Sequence, residues 1–244
     1  MVYATSDLHG YPLPKFKALL EKAGFGNDDF LFILGDVIDR NGDGGIETLC
    51  WIMEQPNVEL LLGNHEAMLL ECDFLFDEIT SDALDNLKPD QMKALIRWMN
   101  NGAEPTLDAL TRRNRLHPGT AADVLDFLRD APLCDTVHAG GKDFVLCHAG
   151  LGNFHPRKRM GEYTLKELVW MRPKPTDRYF DDMITVFGHT PVVFMNNPDG
   201  VWSGEPLRAV RTETWIDIDT GAAAGEPHAP MLLRLDDMKE FYAD

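Results

Sequence analysis

The sequence predicts an α/β fold, and three observations carry that prediction. Five short β-rich apolar runs, at residues 2–6, 30–34, 58–62, 144–147 and 184–187, have the length of buried central strands. Each run stops at a polar turn: Asp7-Leu8-His9-Gly10, Gly35-Asp36, Gly63-Asn64-His65-Glu66, His148-Ala149-Gly150 and Gly188-His189-Thr190. Apolar residues at helical spacing occupy 15–22, 46–54 and 66–76, so strand, polar turn and helix repeat along the chain.

Residues 82–131 differ. Apolar positions recur at helical spacing (Leu87, Met92, Leu95, Ile96 and Met99, then Leu107 and Leu110, then Val124, Leu125 and Leu128), and Pro89, Pro105, Pro118 and Pro132 punctuate the stretch. It reads as a helical insertion within one domain spanning 1–244. Beyond His189, short β-rich runs at 192–195, 214–218 and 231–235 alternate with turn residues, which predicts antiparallel strands completing a second sheet.

Bulk properties narrow the function. The 244 residues are 44% hydrophobic, enough for a full core. No run of eighteen apolar residues exists, which argues against a membrane span. The N-terminus has no basic, apolar leader, and Cys50, Cys72, Cys134 and Cys147 show no CxxC spacing; together these point to a reduced cytoplasmic protein. The formal charge of −17 repels a polyanion such as DNA. An anionic phosphoester would need local cations, and two divalent ions bring +4 to one point.

The polar turns supply ligands for such ions. In open α/β sheets, sites form outside the carboxyl ends of the strands, and all five runs carry Asp, Asn or His there. Asp7 and His9 are two residues apart, so both side chains can face one way. Asp36 has two oxygens, enough to bridge; Asn64 offers a neutral oxygen, and His148 and His189 offer nitrogens. This mixed O/N set without cysteine suits Mn²⁺, Fe or Zn²⁺ and disfavours a structural zinc or an all-oxygen calcium site.

These motifs together resemble the calcineurin-like metallophosphoesterases. More narrowly, they look like the compact bacterial and bacteriophage form of the serine/threonine phosphoprotein phosphatases. Gly35-Asp36-Val37-Ile38-Asp39-Arg40 belongs to the resemblance, as do Trp98-Met99-Asn100-Asn101-Gly102, Trp170-Met171-Arg172 and Ile218-Asp219-Thr220-Gly221. The resemblance implies a four-layer α/β/β/α sandwich. It also implies two divalent ions, Mn²⁺ first among the candidates. Asp7, His9 and Asp36 would hold one; Asp36, Asn64, His148 and His189 would hold the other. A metal-bridging hydroxide would then attack phosphorus in line. His65 would be the general acid oriented by Asp39, whose carboxylate raises the histidine pKa, and Arg40 and Arg172 would clamp the phosphate.

Other residues read more plainly. Glu66 reads as support for a helix N-terminus. His117, His138, His155 and His228 fit surface or capping positions, Cys147 a packing position, and the Met and Trp residues of 91–101 a helix core. The family usually has glycine where Asn41 stands, so Asn41 is expected to hold a positive φ. It often has glycine at the position of Ser6, a residue small enough to leave the loop intact.

The reaction expected first is hydrolysis of phosphomonoesters, with phosphoserine or phosphothreonine in proteins as substrate. Within the resemblance, Asp39-Arg40 implies that reaction over hydrolysis of dinucleoside polyphosphates such as diadenosine tetraphosphate, or of RNA caps, the alternative reading. A non-catalytic phosphoprotein-binding module should have lost a ligand or His65, and neither is missing.

Overall fold

The computed structural model describes residues 1–76, 87–197 and 199–243. One sheet contains β1 (Val2–Thr5), β2 (Phe30–Ile33), β3 (Val58–Leu60), β9 (Met231–Arg234) and β10 (Lys239–Tyr242), in the order β10-β9-β1-β2-β3. The other contains β4 (Cys134–Ala139), β5 (Lys142–Cys147), β6 (Met183–Phe187), β7 (Val210–Arg211) and β8 (Trp215–Asp217), in the order β4-β5-β6-β8-β7. Each sheet has three parallel strands, β1, β2 and β3 in one and β5, β6 and β8 in the other. Antiparallel strands flank both sets.

Period-two alternation makes the layers. Ala4, Phe32, Leu34, Phe144, Leu146, Val186, Ile216 and Leu233 face into the seam between the sheets. Their neighbours Tyr3, Leu31, Ile33 and Leu232 turn outward onto helices α1 (Leu13–Ala23), α2 (Ile46–Met53), α3 (Asn64–Glu71), α4 (Pro89–Asn100), α5 (Glu104–Leu116) and α6 (Thr120–Asp130). On the far side Val145, Cys147, Phe187 and Trp215 pack against α7 (Leu165–Val169) and α8 (Val192–Asn196). The result is the four-layer α/β/β/α sandwich.

Three expectations change. Residues 192–195 form α8 rather than a strand: Val192 and Met195, three apart, are both buried, and that tertiary burial overrides the β preference of Val-Val-Phe. The run at 214–218 pairs parallel with β6, and the run at 231–235 joins the first sheet beside β1. Only Trp98 of α4 is fully buried; Met92, Ile96 and Met99 are exposed. Position 82, the expected start of the insertion, lies outside the described residues.

Glu66 ties the exits of two strands together. Its carboxylate accepts from the amides of Asp36 (2.8 Å), Val37 (2.8 Å) and Gly63 (3.1 Å), and all of these groups are buried. The N-terminal role expected for Glu66 is present, and its reach across to the loop after β2 is additional. Removing that acceptor strands several buried donors, at about 1–3 kcal/mol each. Glu66→Ala is therefore expected to lose at least about 2 kcal/mol of stability, read as a lowered urea midpoint; an unchanged midpoint would contradict this account.

Candidate metal centre and active site

The strand ends place Asp7, His9, Asp36, Asn64, His65, His148 and His189 together, all buried. The backbone takes unusual conformations to do so. Asp7 (φ 53), His9 (φ 43), Asp36 (φ 55), Asp39 (φ 75), Arg40 (φ 73) and His189 (φ 65) all occupy the left-handed region, at roughly 1–3 kcal/mol each. Amides of the adjoining loops hold them there: His9 N–H donates to Asp36 O at 2.9 Å, and Asp7 N–H to Gly35 O at 3.1 Å. Asn41 is not among the positive-φ residues, which corrects the expectation for it. Its amide instead donates to His9 O (3.0 Å) and Ala222 O (3.1 Å), a bridge glycine could not make.

Hydrogen bonds decide which atoms remain available. His9 Nδ1 donates to Ile38 O at 3.0 Å and His148 Nδ1 to Leu34 O at 2.7 Å, so both rings turn Nε2 into the site. Burial lowers the His148 pKa, but the Asp36 carboxylate outweighs it and raises the ring to about 10. Asp7 Oδ2 accepts from Ser6 Oγ and from His189 N–H, leaving Oδ1 turned toward His9 Nε2 at 3.8 Å. Asp36 Oδ1 accepts from His65 N–H at 3.0 Å. Its other oxygen, Oδ2, lies 3.5 Å from His9 Nε2 and 3.4 Å from His148 Nε2, between two groups of ligand atoms. His189 Nδ1 is 3.2 Å from His148 Nε2.

One end of the Asn64 amide lies 2.9 Å from His148 Nε2, 2.8 Å from His189 Nδ1 and 3.3 Å from Asp36 Oδ2. With NH₂ there, the amide donates into the cluster; with oxygen there, lone pairs converge on one point, an arrangement that a cation stabilises. The electrostatics lean the same way. Burial pushes the Asp7 carboxyl up to about 7, and Asp219 is driven well above the usual range by burial and by Asp7. Burial also pulls His9 down to about 3 and His189 to about 2, leaving both neutral and able to ligate. Buried carboxylates among imidazoles, with Asp36 drawing positive charge onto His148, fit divalent ions in both chemistry and charge.

By distance alone, His9, Asp36 and His65 form one ligand group and Asp36, His148 and His189 another. His65 suits a ligand role poorly, because the Arg40 guanidinium lies 3.4 Å from its Nε2. Its Nδ1 donates to Asp39 Oδ2 at 2.6 Å. Burial lowers the His65 pKa, but the Asp36 charge and the Asp39 hydrogen bond outweigh this and hold it above the ordinary value. Arg172 also reaches the site, anchored by Nη1 to His189 O at 2.9 Å and Thr190 Oγ1 at 3.2 Å. A cleft of about 230 Å³ opens over these groups and is lined by both arginines.

Three residues that the motifs did not assign to the site belong to it. Trp98 Nε1 donates to Asp39 Oδ2 at 2.9 Å, and Thr106 Oγ1 donates to Asp39 Oδ1 at 2.6 Å, both fully buried. Arg40 N–H donates to Gly102 O at 2.9 Å, so α4 and the start of α5 grip this loop at both residues. Asp219 lines the cleft beside Asp7. The tryptophan and the Asp219 turn were visible as motif fragments, but nothing local tells whom they bond. His155 is exposed and its Nδ1 accepts from Arg157 N–H, a turn role.

Metal occupancy should therefore be read in stability as well as in composition. Elemental analysis is expected to find two divalent ions per chain. Chelation should lower Tm by on the order of 5–10 °C for each ion lost, from roughly 2.7 kcal/mol of linkage at a hundredfold excess over Kd. A Tm indifferent to chelation and to added Mn²⁺ would refute the fit.

Comparison with known proteins agrees with this geometry. The profile of the calcineurin-like phosphoesterase family matches residues 1–217. Curated relatives named symmetrical bis(5′-nucleosyl)-tetraphosphatase include one from Neisseria meningitidis serogroup A, 27% identical over 91% of this chain and 96% of its own. Another, from Acidovorax sp. JS42, is 28% identical over 62% of this chain, and that match spans 44%, under half, of the relative's length. A solved candidate diadenosine tetraphosphatase superposes with a TM-score of 0.60 at 15% identity, covering 98% of this chain and 90% of that one. A cold-active protein tyrosine phosphatase superposes at 0.54 with 17% identity, covering 100% and 80%. Likenesses at that identity concern the fold. With the profile spanning nearly the whole chain, and the polar strand ends gathered as described, the chain belongs to the calcineurin-like phosphoesterases.

Proposed function

We propose that this chain is a dinuclear metal-dependent hydrolase of dinucleoside polyphosphates, acting within one domain whose inserted helices serve the site. The observation that carries it is the shared Asp36 oxygen between two ligand groups, with Arg40 and Arg172 on the cleft above. The substrate class is supported by relatives named symmetrical tetraphosphatases. These names move the first choice away from phosphoproteins, which Asp39-Arg40 had favoured. Free thiols at all four cysteines fit a cytoplasmic setting.

In this reading Asp7, His9 and Asp36 hold one ion, and Asp36, Asn64, His148 and His189 the other, with Mn²⁺ the first candidate and Fe or Zn²⁺ behind it. When bound, such ions supply Lewis-acid charge to water and to the phosphoryl oxygens. Arg40 and Arg172 bind the non-bridging oxygens and hold phosphorus in line. His65 keeps its Nδ1 proton on Asp39 and presents the Nε2 proton to the leaving oxygen. Trp98 and Thr106 hold Asp39 so that the ring cannot swing.

A second reading, phosphoprotein hydrolysis, is favoured by Arg40 beside His65, since an alkoxide leaving group needs both charge and a proton. Side-by-side kcat/KM for diadenosine tetraphosphate, a phosphoserine peptide and an aryl phosphate separates the two. A dinucleotide preference of about a hundredfold, about 2.7 kcal/mol in transition-state binding, is expected; the reverse order would replace the proposal with the second reading. No turnover of any of them would leave a binding module.

The proton relay gives its own signature. His65→Asn should lower kcat by roughly 10²–10⁴ on the alkyl phosphopeptide. The loss should be smaller on the dinucleotide, whose phosphate leaving group is the weaker base. Trp98→Phe should show the same ordering with smaller losses and an unchanged KM. Equal losses on all three substrates would rule out a proton-donor role for His65.

A further inference from the structure

Phe194 is an exposed aromatic ring on the wall of the catalytic cleft, at 47% exposure. Single exposed apolar side chains are common and by themselves mean little. This one is built into place. Helix α8 begins just after His189, and its first amide, Val192 N–H, donates to Asp219 O at 2.9 Å. Val192 and Met195 anchor the helix in the core, which leaves Phe194 projecting from the opposite side. Gly200 (φ +65) packs closely against the ring; a Cβ there would land on the ring carbons Cε1, Cδ1 and Cζ. This close backbone contact restrains the ring, which still lines the cleft.

Arg172 lines that same cleft and is tied to His189 and Thr190, the residues leading into α8. A phosphate held by the arginine therefore has an aromatic surface within the same cleft. Trp170 is also part of the wall, and its ring meets His189 edge-on at 6.4 Å. Flat, apolar and restrained by a glycine contact, the Phe194 surface suits a planar ring attached to the phosphates.

We propose that Phe194 is a stacking platform for one nucleobase of a dinucleoside polyphosphate; the inference rests on the dinucleotide reading for its ligand. Base-on-aromatic stacking accounts for about 5- to 150-fold in affinity. The phosphate part of the ligand should not sense the ring.

The test uses equilibrium binding to the Mn²⁺-loaded chain at buffered free metal. ADP, the product of symmetrical cleavage of diadenosine tetraphosphate, is compared with pyrophosphate, which has the same phosphates and no base. Wild type is expected to bind ADP about 5- to 150-fold more tightly than pyrophosphate. Phe194→Leu should erase that advantage while leaving the pyrophosphate Kd unchanged, and Phe194→Trp should keep it. The proposal is overturned by no ADP advantage in wild type, by an advantage retained in Phe194→Leu, or by equal weakening of both ligands in both variants. If the advantage depends on Phe194 yet diadenosine tetraphosphate is not hydrolysed, the platform stands and the functional reading fails. Hydrolysis without a Phe194-dependent advantage gives the converse.

Discussion

The Asp36 carboxylate lies where the loops leaving both sheets meet. The His65 amide holds one oxygen at 3.0 Å, and the other stands within 3.5 Å of His9 and His148 nitrogens from different sheets. A buried charge in that position is costly unless opposite charge is close by. The rest of the site is arranged around it: Glu66 secures the Asp36 amide, His148 is fixed from Leu34 O, and His9 from Ile38 O. Each of those anchors is a backbone group of the β2 exit. Placing that one loop places site residues from both halves of the sandwich.

Strain is concentrated at the same loops. Six site residues hold positive φ, three of them aspartates, which tolerate the left-handed region better than most. Such conformations persist where the surroundings over-determine them. Here the amides of Asp7, His9 and Gly10 all donate to carbonyls of the Gly35–Val37 stretch. Gly188 and Gly63 permit the close approach, since a Cβ at either would strike a site aspartate, Asp7 or Asp36.

Helices α4 and α5 reach this centre through Asp39. Trp98 and Thr106 satisfy its two oxygens, and the Gly102 carbonyl takes the Arg40 amide. A helical segment that looked like packing thereby sets the ring of His65 and the path of Arg40. Its exposed Met92, Ile96 and Met99 take no part in that grip.

By itself the sequence determined the strand cores, the polar residues closing each strand and the helix punctuation by Pro89, because alternation, turn chemistry and proline geometry are local. The gathering of Asp7, His9, Asp36, Asn64, His148 and His189 was legible for the same reason: strand ends in an α/β sheet converge whatever the details. The tertiary structure decided what depended on partners far along the chain. It assigned β9 to the first sheet and ran β8 parallel to β6, because ladder pairing follows the fit between distant segments and has no local signature. It made 192–196 a helix by burying Val192 and Met195. Trp98 and Thr106, the partners that join His65 on Asp39, lie 59 and 67 residues away from it, so only the packing of α4 and α5 on the β2 exit could reveal them.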